Sequence, residues 1–187
     1  LAGHAMDGEA LGHATLNNWL NDVAEAIAIG ERLGEQVIIM ATSTGGALAT
    51  WALAEPVLSR TVVAAVFLSP NFGLKARGGF LLTAPFARPL VHAILGPQRS
   101  FVPHNPQHAA LWTPAYPTDA LLPMAQAVVL ANRAPFARMT VPALFLYSPE
   151  DQTVDPEQIR RNAGRWAAPH KTVAMQTDDP SRHVLAG

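Results

Sequence analysis

Val37-Ile-Ile-Met-Ala-Thr-Ser-Thr-Gly-Gly46 is the stretch on which the reading of this chain turns. Four apolar residues, enough for a buried strand, run into a turn of small residues, and the Ala-rich segment 47–54 follows. The pattern predicts strand, tight turn and helix in immediate succession. The turn puts Ser43 at the middle of Ala-x-Ser-x-Gly, one substitution from the Gly-x-Ser-x-Gly pattern of a nucleophile elbow. A serine on so sharp a turn projects its hydroxyl away from the backbone, and small neighbours relieve the crowding. The helix N-terminus behind it supplies N–H groups that favour developing negative charge. Taken alone, the same stretch also fits a Gly-rich strand-to-helix connection with no chemistry.

Working outward, strands and helices alternate. Leu16, Trp19, Leu20, Val23, Ile27 and Leu33 recur at helical spacing over 15–34, with Gly34 as a stop. The spacing predicts strands over 37–41, 61–68, 141–147 and 172–176. Helices are predicted over 45–54 and 156–167, the second with Asp155 as N-cap and Pro156 in its first turn. Continuous apolar strands separated by helices imply a parallel sheet covered on both faces.

Residues 71–138 differ in texture. They hold nine of the 16 prolines and three of the seven histidines (His92, His104 and His108), and they are too long for a simple crossover. Helical pieces are predicted near 86–95 and 121–132. This region reads as a cap inserted into a core made of 1–70 and 139–187, with no repeats or low-complexity tracts in view. Its apolar and aromatic residues, Phe72, Trp112 and Tyr116 among them, suit a pocket for an acyl chain or aromatic group, although most such residues serve to pack the cap.

Composition bounds the rest. The 187 residues suffice for about one domain with a substantial core. Hydrophobic content is 49% against 14% charged, which excludes a disordered chain. A net charge of −1 gives no electrostatic case for nucleic acid. There is no cysteine, hence no disulfide or thiolate metal site. The longest clean apolar run, residues 62–68, is far too short to span a bilayer, and no signal sequence opens the chain. A cytoplasmic location is the default expectation.

A nucleophilic serine needs a base and an orienting acid. Asp151 follows the strand over 141–147, and His183 follows the strand over 172–176. Ser43, Asp151 and His183 thus stand at the carboxyl ends of parallel strands, in the order serine, acid, histidine. Other candidates are weaker. Asp155 is better explained as an N-cap, and Asp178 and Asp179, close to His183, read as loop charges more readily than as the acid. His104 and His108 have a spacing that could hold a metal, but no third ligand is near, so no metal is expected. No phosphate-loop lysine follows the elbow.

This ordered set resembles the α/β-hydrolase superfamily of serine esterases and lipases. Leu1-Ala-Gly-His4 resembles its Leu-Pro-Gly-His turn, in which the histidine is structural. Asp151-Gln-Thr-Val154 resembles its Asp-x-x-Val segment, and Ser181-Arg-His183-Val-Leu185 its Ser-x-His-x-Leu segment. Within the superfamily the likeness is to bacterial carboxylesterases and the monoglyceride-lipase or lysophospholipase type. It implies an α/β-hydrolase fold, a mostly parallel sheet with helices on both faces and an inserted helical cap. It also implies hydrolysis of a small-molecule ester or lipid without a cofactor, with Ser43, His183 and Asp151 as catalytic residues and the Thr44 backbone N–H in the oxyanion hole. A non-catalytic protein of the same fold that binds a small apolar ligand stands as the alternative, as does an amidase or peptidase with the same residues.

The family's second oxyanion donor comes from a loop after an early strand, which would precede Leu1. The first strands are therefore expected to be missing, and the chain to be part of a larger hydrolase domain. An active enzyme whose intact mass is 19.9 kDa would overturn that expectation.

Overall fold

The computed structural model describes residues 1–76, 78–103 and 105–185. In chain order the regular elements are α1 (Gly8–Gly12), α2 (Leu16–Leu33), β1 (Val37–Thr42), α3 (Thr44–Ala54), α4 (Pro56–Ser59) and β2 (Val62–Leu68), followed by α5 (Ala87–Leu95), β3 (Gln98–Ser100), α6 (Pro106–Leu111) and β4 (Ala115–Pro117). The last are α7 (Leu121–Asn132), β5 (Ala143–Tyr147), α8 (Pro156–Ala163) and β6 (His170–Ala174). They form two compact units, one of residues 1–22 with 78–126 and the other of 23–77 with 127–187. Two of the three divisions fall inside α2 and α7 and the third at 77/78, against the sequence-based boundaries of 70/71 and 138/139. The opening segment belongs with the proline-rich region because α1 packs on β4, where Gly8 lies so close to Ala115 that a Cβ would stand 2.1 Å from its carbonyl oxygen.

The larger unit is built on a four-stranded parallel sheet in the order β1-β2-β5-β6. The register is in step at the carboxyl ends. Thr42 pairs with Leu68, and Leu68 with Leu146. The ladder continues one residue past each strand, through Ser43 N–H to Leu68 O at 3.0 Å, Ser69 N–H to Leu146 O at 2.8 Å and Met175 N–H to Tyr147 O at 2.8 Å. Those bonds align the three loops that follow β1, β2 and β6.

One sheet face is closed by aromatics. Phe67 and Phe145, neighbours across β2 and β5, stack at 4.8 Å, and Trp166 meets both edge-on at 5.6 and 5.5 Å. The indole N–H of Trp166 donates to Val141 O at 2.9 Å, so this large buried ring carries no unsatisfied donor. Helix α3 is buried along most of its length, as its alanines and glycines allow.

The expected cover on both faces is not found on β1. Ile38 and Met40 are 65% and 72% exposed, because β1 is an outer strand with a single neighbour. Other departures have local causes. β5 begins at Ala143, not at 141, because Pro142 has no N–H for the ladder. Helix α8 stops at Ala163 before Gly164, and β6 lies two residues earlier than its apolar pattern suggested. Leu33, placed on the buried stripe of α2 by spacing, is exposed, whereas Trp19 and Ile27 are buried.

In the smaller unit, α5 and the short hairpin β3–β4 are held together by polar contacts. Thr118 donates its backbone N–H to Pro97 O at 2.9 Å and its hydroxyl to Gly96 O at 2.7 Å. The Arg88 guanidinium grips both carboxylate oxygens of Asp119, and His92 Nε2 lies 2.9 Å from Oδ1. Donation from Arg88, more than from His92, holds the Asp119 carboxyl below its ordinary pKa, although burial opposes the shift. A carboxyl whose pKa is lower folded than unfolded stabilises above its unfolded value, near 3.9, and that stabilisation is lost as pH falls through the folded value. Asp119→Asn should therefore lower the urea midpoint at neutral pH. The gap to wild type should close in acid, below the carboxylate range, and a gap independent of pH would contradict this account.

Candidate active site

Strand β1 ends at Thr42 and α3 begins at Thr44, which leaves Ser43 alone to reverse the chain. Its backbone stands at φ 49°, ψ −121°, a conformation that costs a residue with a Cβ about 1–3 kcal/mol. The cost is met by its neighbours. Besides the bond from Ser43 N–H to Leu68 O, the Ser43 carbonyl accepts from Asn71 N–H at 2.8 Å and Gly46 N–H at 2.9 Å. The turn leaves the Ser43 side chain half-buried at the carboxyl edge of the sheet. Thr44 opens α3, so helix geometry gives its N–H no intrahelical partner.

The second and third residues come from later loops. Asp151, with no exposed surface, lies beyond β5. Its Oδ1 accepts from the backbone N–H groups of Thr153 at 2.7 Å and Val154 at 2.9 Å. Its Oδ2 faces His183 Nδ1 at 2.8 Å. His183, 5% exposed, places Nε2 at 3.0 Å from Ser43 Oγ. A carboxylate only accepts, so the proton between Asp151 and His183 sits on Nδ1. Nε2 is then the acceptor for the Ser43 hydroxyl, and the contacts run without a break from serine through imidazole to carboxylate.

The acid loop is anchored by the segment after β2. Leu74 bridges to Val154, Lys75 N–H donates to Thr153 O at 3.0 Å, and Asp155 N–H donates to Gly73 O at 2.8 Å. Asp155 itself caps α8, its side chain accepting from Glu157 N–H at 2.9 Å. Ser69, buried and at φ 43°, donates its hydroxyl to His183 O at 2.8 Å. Neither Ser69 nor Asn71 stands out in the sequence, since their part is played through backbone groups and a short side chain. The only signal was the Ser-Pro-Asn stop after the strand.

The other candidates lie elsewhere. Phe72 is 1% exposed and packs edge-on against Phe136 at 6.3 Å. Trp112 and Tyr116 belong to the smaller unit. Trp112 meets His4 at 5.8 Å and His108 at 5.3 Å, and burial raises the pKa of Tyr116. His4 is exposed but meets Trp112 on one side, and the partial desolvation lowers its pKa. His108 stacks on Phe101 at 5.1 Å, and His104 lies outside the described residues. Among the described residues no group of three or more His, Asp or Glu could hold a metal ion. No helix among them is long and apolar enough to cross a membrane. Asp178 is exposed, and Asp179 contacts backbone groups of the His183 loop.

The pattern of the alpha/beta hydrolase family matches residues 1–186, and the chain belongs to that family. No curated protein matched by sequence. Among solved structures, one reported with two metagenome-derived lipolytic enzymes superposes with a TM-score of 0.73 at 16% identity, over 89% of this chain and 66% of that one. A monoacylglycerol lipase from Paleococcus ferrophilus gives 0.63 at 18% identity, over 90% and 70%. A monoglyceride lipase from Saccharomyces cerevisiae gives 0.61 at 10% identity, over 92% and 63%. The likeness at such identities is one of fold. The chain spans about two thirds of the length of these structures.

The elbow's two glycines differ. A Cβ on Gly45, the glycine of the motif, would meet nothing within 4 Å, whereas one on Gly46 would stand 2.7 Å from Pro70 Cβ and 3.0 Å from its Cα. Gly46→Ala should therefore destabilise by about 1–3 kcal/mol through overpacking. Gly45→Ala should be neutral or stabilising by up to about 1 kcal/mol, because alanine favours helix. Denaturant unfolding of the two variants checks the contrast, and equal effects would contradict it.

Proposed function

We propose that this chain is a serine hydrolase acting on carboxylic esters, with Ser43 as nucleophile, His183 as general base and then acid, and Asp151 as orienting carboxylate. The observation that carries the reading is the pair of contacts at 2.8 and 3.0 Å joining Asp151, His183 and Ser43, made to a serine in a strained elbow. The similar structures include lipolytic enzymes and a monoacylglycerol lipase, which supports esters of short or medium acyl chains, or monoacylglycerol-like lipids, as the substrate class.

In this mechanism His183 Nε2 takes the Ser43 proton as Oγ attacks the ester carbonyl. The developing oxyanion faces the N–H of Thr44, at the positive end of α3. Asp151 keeps the proton on Nδ1 and stabilises the imidazolium that forms. His183 then protonates the departing alcohol, and the same nitrogen activates a water that releases the acyl group from Ser43. The protein groups that pass the proton, Ser43 and His183, and the carboxylate that orients the ring are already in contact.

p-Nitrophenyl esters from acetyl to dodecanoyl, with the matching p-nitroanilides, test the proposal. Wild type should cleave esters in preference to anilides, and Ser43→Ala should lower kcat by at least about 10³-fold with the fold intact. Failure to turn over any ester, or full activity in Ser43→Ala, would sink it.

A further inference from the structure

The His183 ring is oriented by Asp151, but a ring is only as well placed as the backbone that carries it. That backbone lies in the loop after β6, residues 175–185, which is closed by its own hydrogen bonds. Asp179 is at the centre. Its Oδ2 accepts from the backbone N–H of His183 at 2.9 Å, from that of Val184 at 3.2 Å, and from the Ser181 hydroxyl. Its carbonyl accepts from Arg182 N–H at 2.8 Å, and its own N–H donates to Thr177 Oγ1 at 3.2 Å. The Thr177 hydroxyl donates to Val184 O at 2.6 Å, and the Arg182 guanidinium donates to Thr177 O.

These contacts hold a turn that would not hold itself. Arg182, next to the histidine, stands at φ 56°, in the left-handed region that residues with a Cβ avoid. From the other side, Ser69 donates to the His183 carbonyl, and Gln152 N–H donates to Ser181 O at 2.8 Å. His183 is therefore fixed at its N–H by one carboxylate, at its carbonyl by a buried serine and at Nδ1 by a second carboxylate.

We infer that Asp179 is a positioning residue for the base: by gripping the His183 and Val184 amides it sets the height of the imidazole, and hence the approach of Nε2 to Ser43 Oγ. The inference rests on the reading of Ser43, His183 and Asp151 given above, and it divides the work between two acids. Asp151 meets the ring and fixes the tautomer. Asp179 grips the loop's amides, and its charge strengthens the bonds it accepts. A displacement of about 1 Å in such a group costs on the order of 10²-fold in rate, so the loop anchor acts on turnover without touching substrate.

The test compares wild type with Asp179→Ala, Asp179→Asn, Asp178→Asn and Ser43→Ala on p-nitrophenyl butyrate. Rates of the variants that keep Ser43 are normalised to nucleophile titrated by a phosphonate ester, and that of Ser43→Ala to folded protein measured by circular dichroism, so that loss of folded protein is not counted as loss of kcat. The low-field Nδ1–H resonance of His183 is followed by proton NMR in the same samples. Asp179→Ala should lower kcat by about 10–100-fold with KM within about twofold, and should lose or broaden that resonance. Asp179→Asn, which keeps the shape and loses the charge, should show a smaller loss and carries the test should the alanine variant not fold. Asp178→Asn, a change at an exposed neighbour, should match wild type. Folded Asp179 variants with wild-type kcat and an unchanged Nδ1–H resonance would overturn the positioning role while leaving the triad standing. Full activity in Ser43→Ala would instead remove the triad, and the role of Asp179 with it. The resonance reports on the imidazole independently of turnover.

Discussion

Ser43 is kept in a backbone conformation it would not choose by three main-chain hydrogen bonds, to Leu68, from Asn71 and from Gly46. Two of the three partners lie at or just beyond the end of β2, which sits between β1 and β5 in the sheet. That strand end is itself kinked at Ser69, and the segment after it pairs with the acid loop through Leu74 and Val154. One short stretch, residues 68–75, therefore braces the elbow, the acid loop and the histidine. The strain at the nucleophile persists because this stretch is anchored to two other strands, and the stacked rings of Phe67 and Phe145 anchor β2 in turn.

Burying Asp151 completely would be costly for an unpaired carboxylate. The cost is offset locally, because the chain turns so that two backbone N–H groups and the imidazole meet its two oxygens. The arrangement leaves the acid no freedom to rotate. It also leaves the imidazole proton on one nitrogen, which is the condition for Nε2 to accept from serine.

Much of the sheet was legible because continuous apolar runs such as residues 62–68 have few other fates, and because Asp155-Pro156 and Gly34 punctuate helices unambiguously. The strands' parallel sense followed from the helices between them, whereas their order in the sheet has no local signature. The proline-rich region yielded only α5 and α7, since β3 and β4 are three residues each and pair across a long connection that no local pattern announces. At the site, the three central residues could be picked out because each follows a strand that periodicity reveals. Asp179 could be seen only as a charge near a histidine. The part Phe72 plays is not legible in the sequence, because an aromatic after a strand looks the same whether it lines a pocket or fills the core. The motif also drew attention to Gly45, whereas the tight contact with Pro70 belongs to Gly46.

The contact between His183 and Ser43 joins residues 140 apart, and the one between Ser69 and His183 joins residues 114 apart. Closing such long segments costs entropy that only the assembled sheet repays, so the constellation cannot exist as a local nucleus. It requires β5 and β6 to be docked, because Asp151 and His183 stand in the loops that follow them, and fraying of the loop beyond β6 would part His183 from Ser43 without unpacking the aromatic core. The spacing of this histidine from its serine makes the site a more sensitive reporter of partial opening than any signal from the core, including the emission of the buried Trp166.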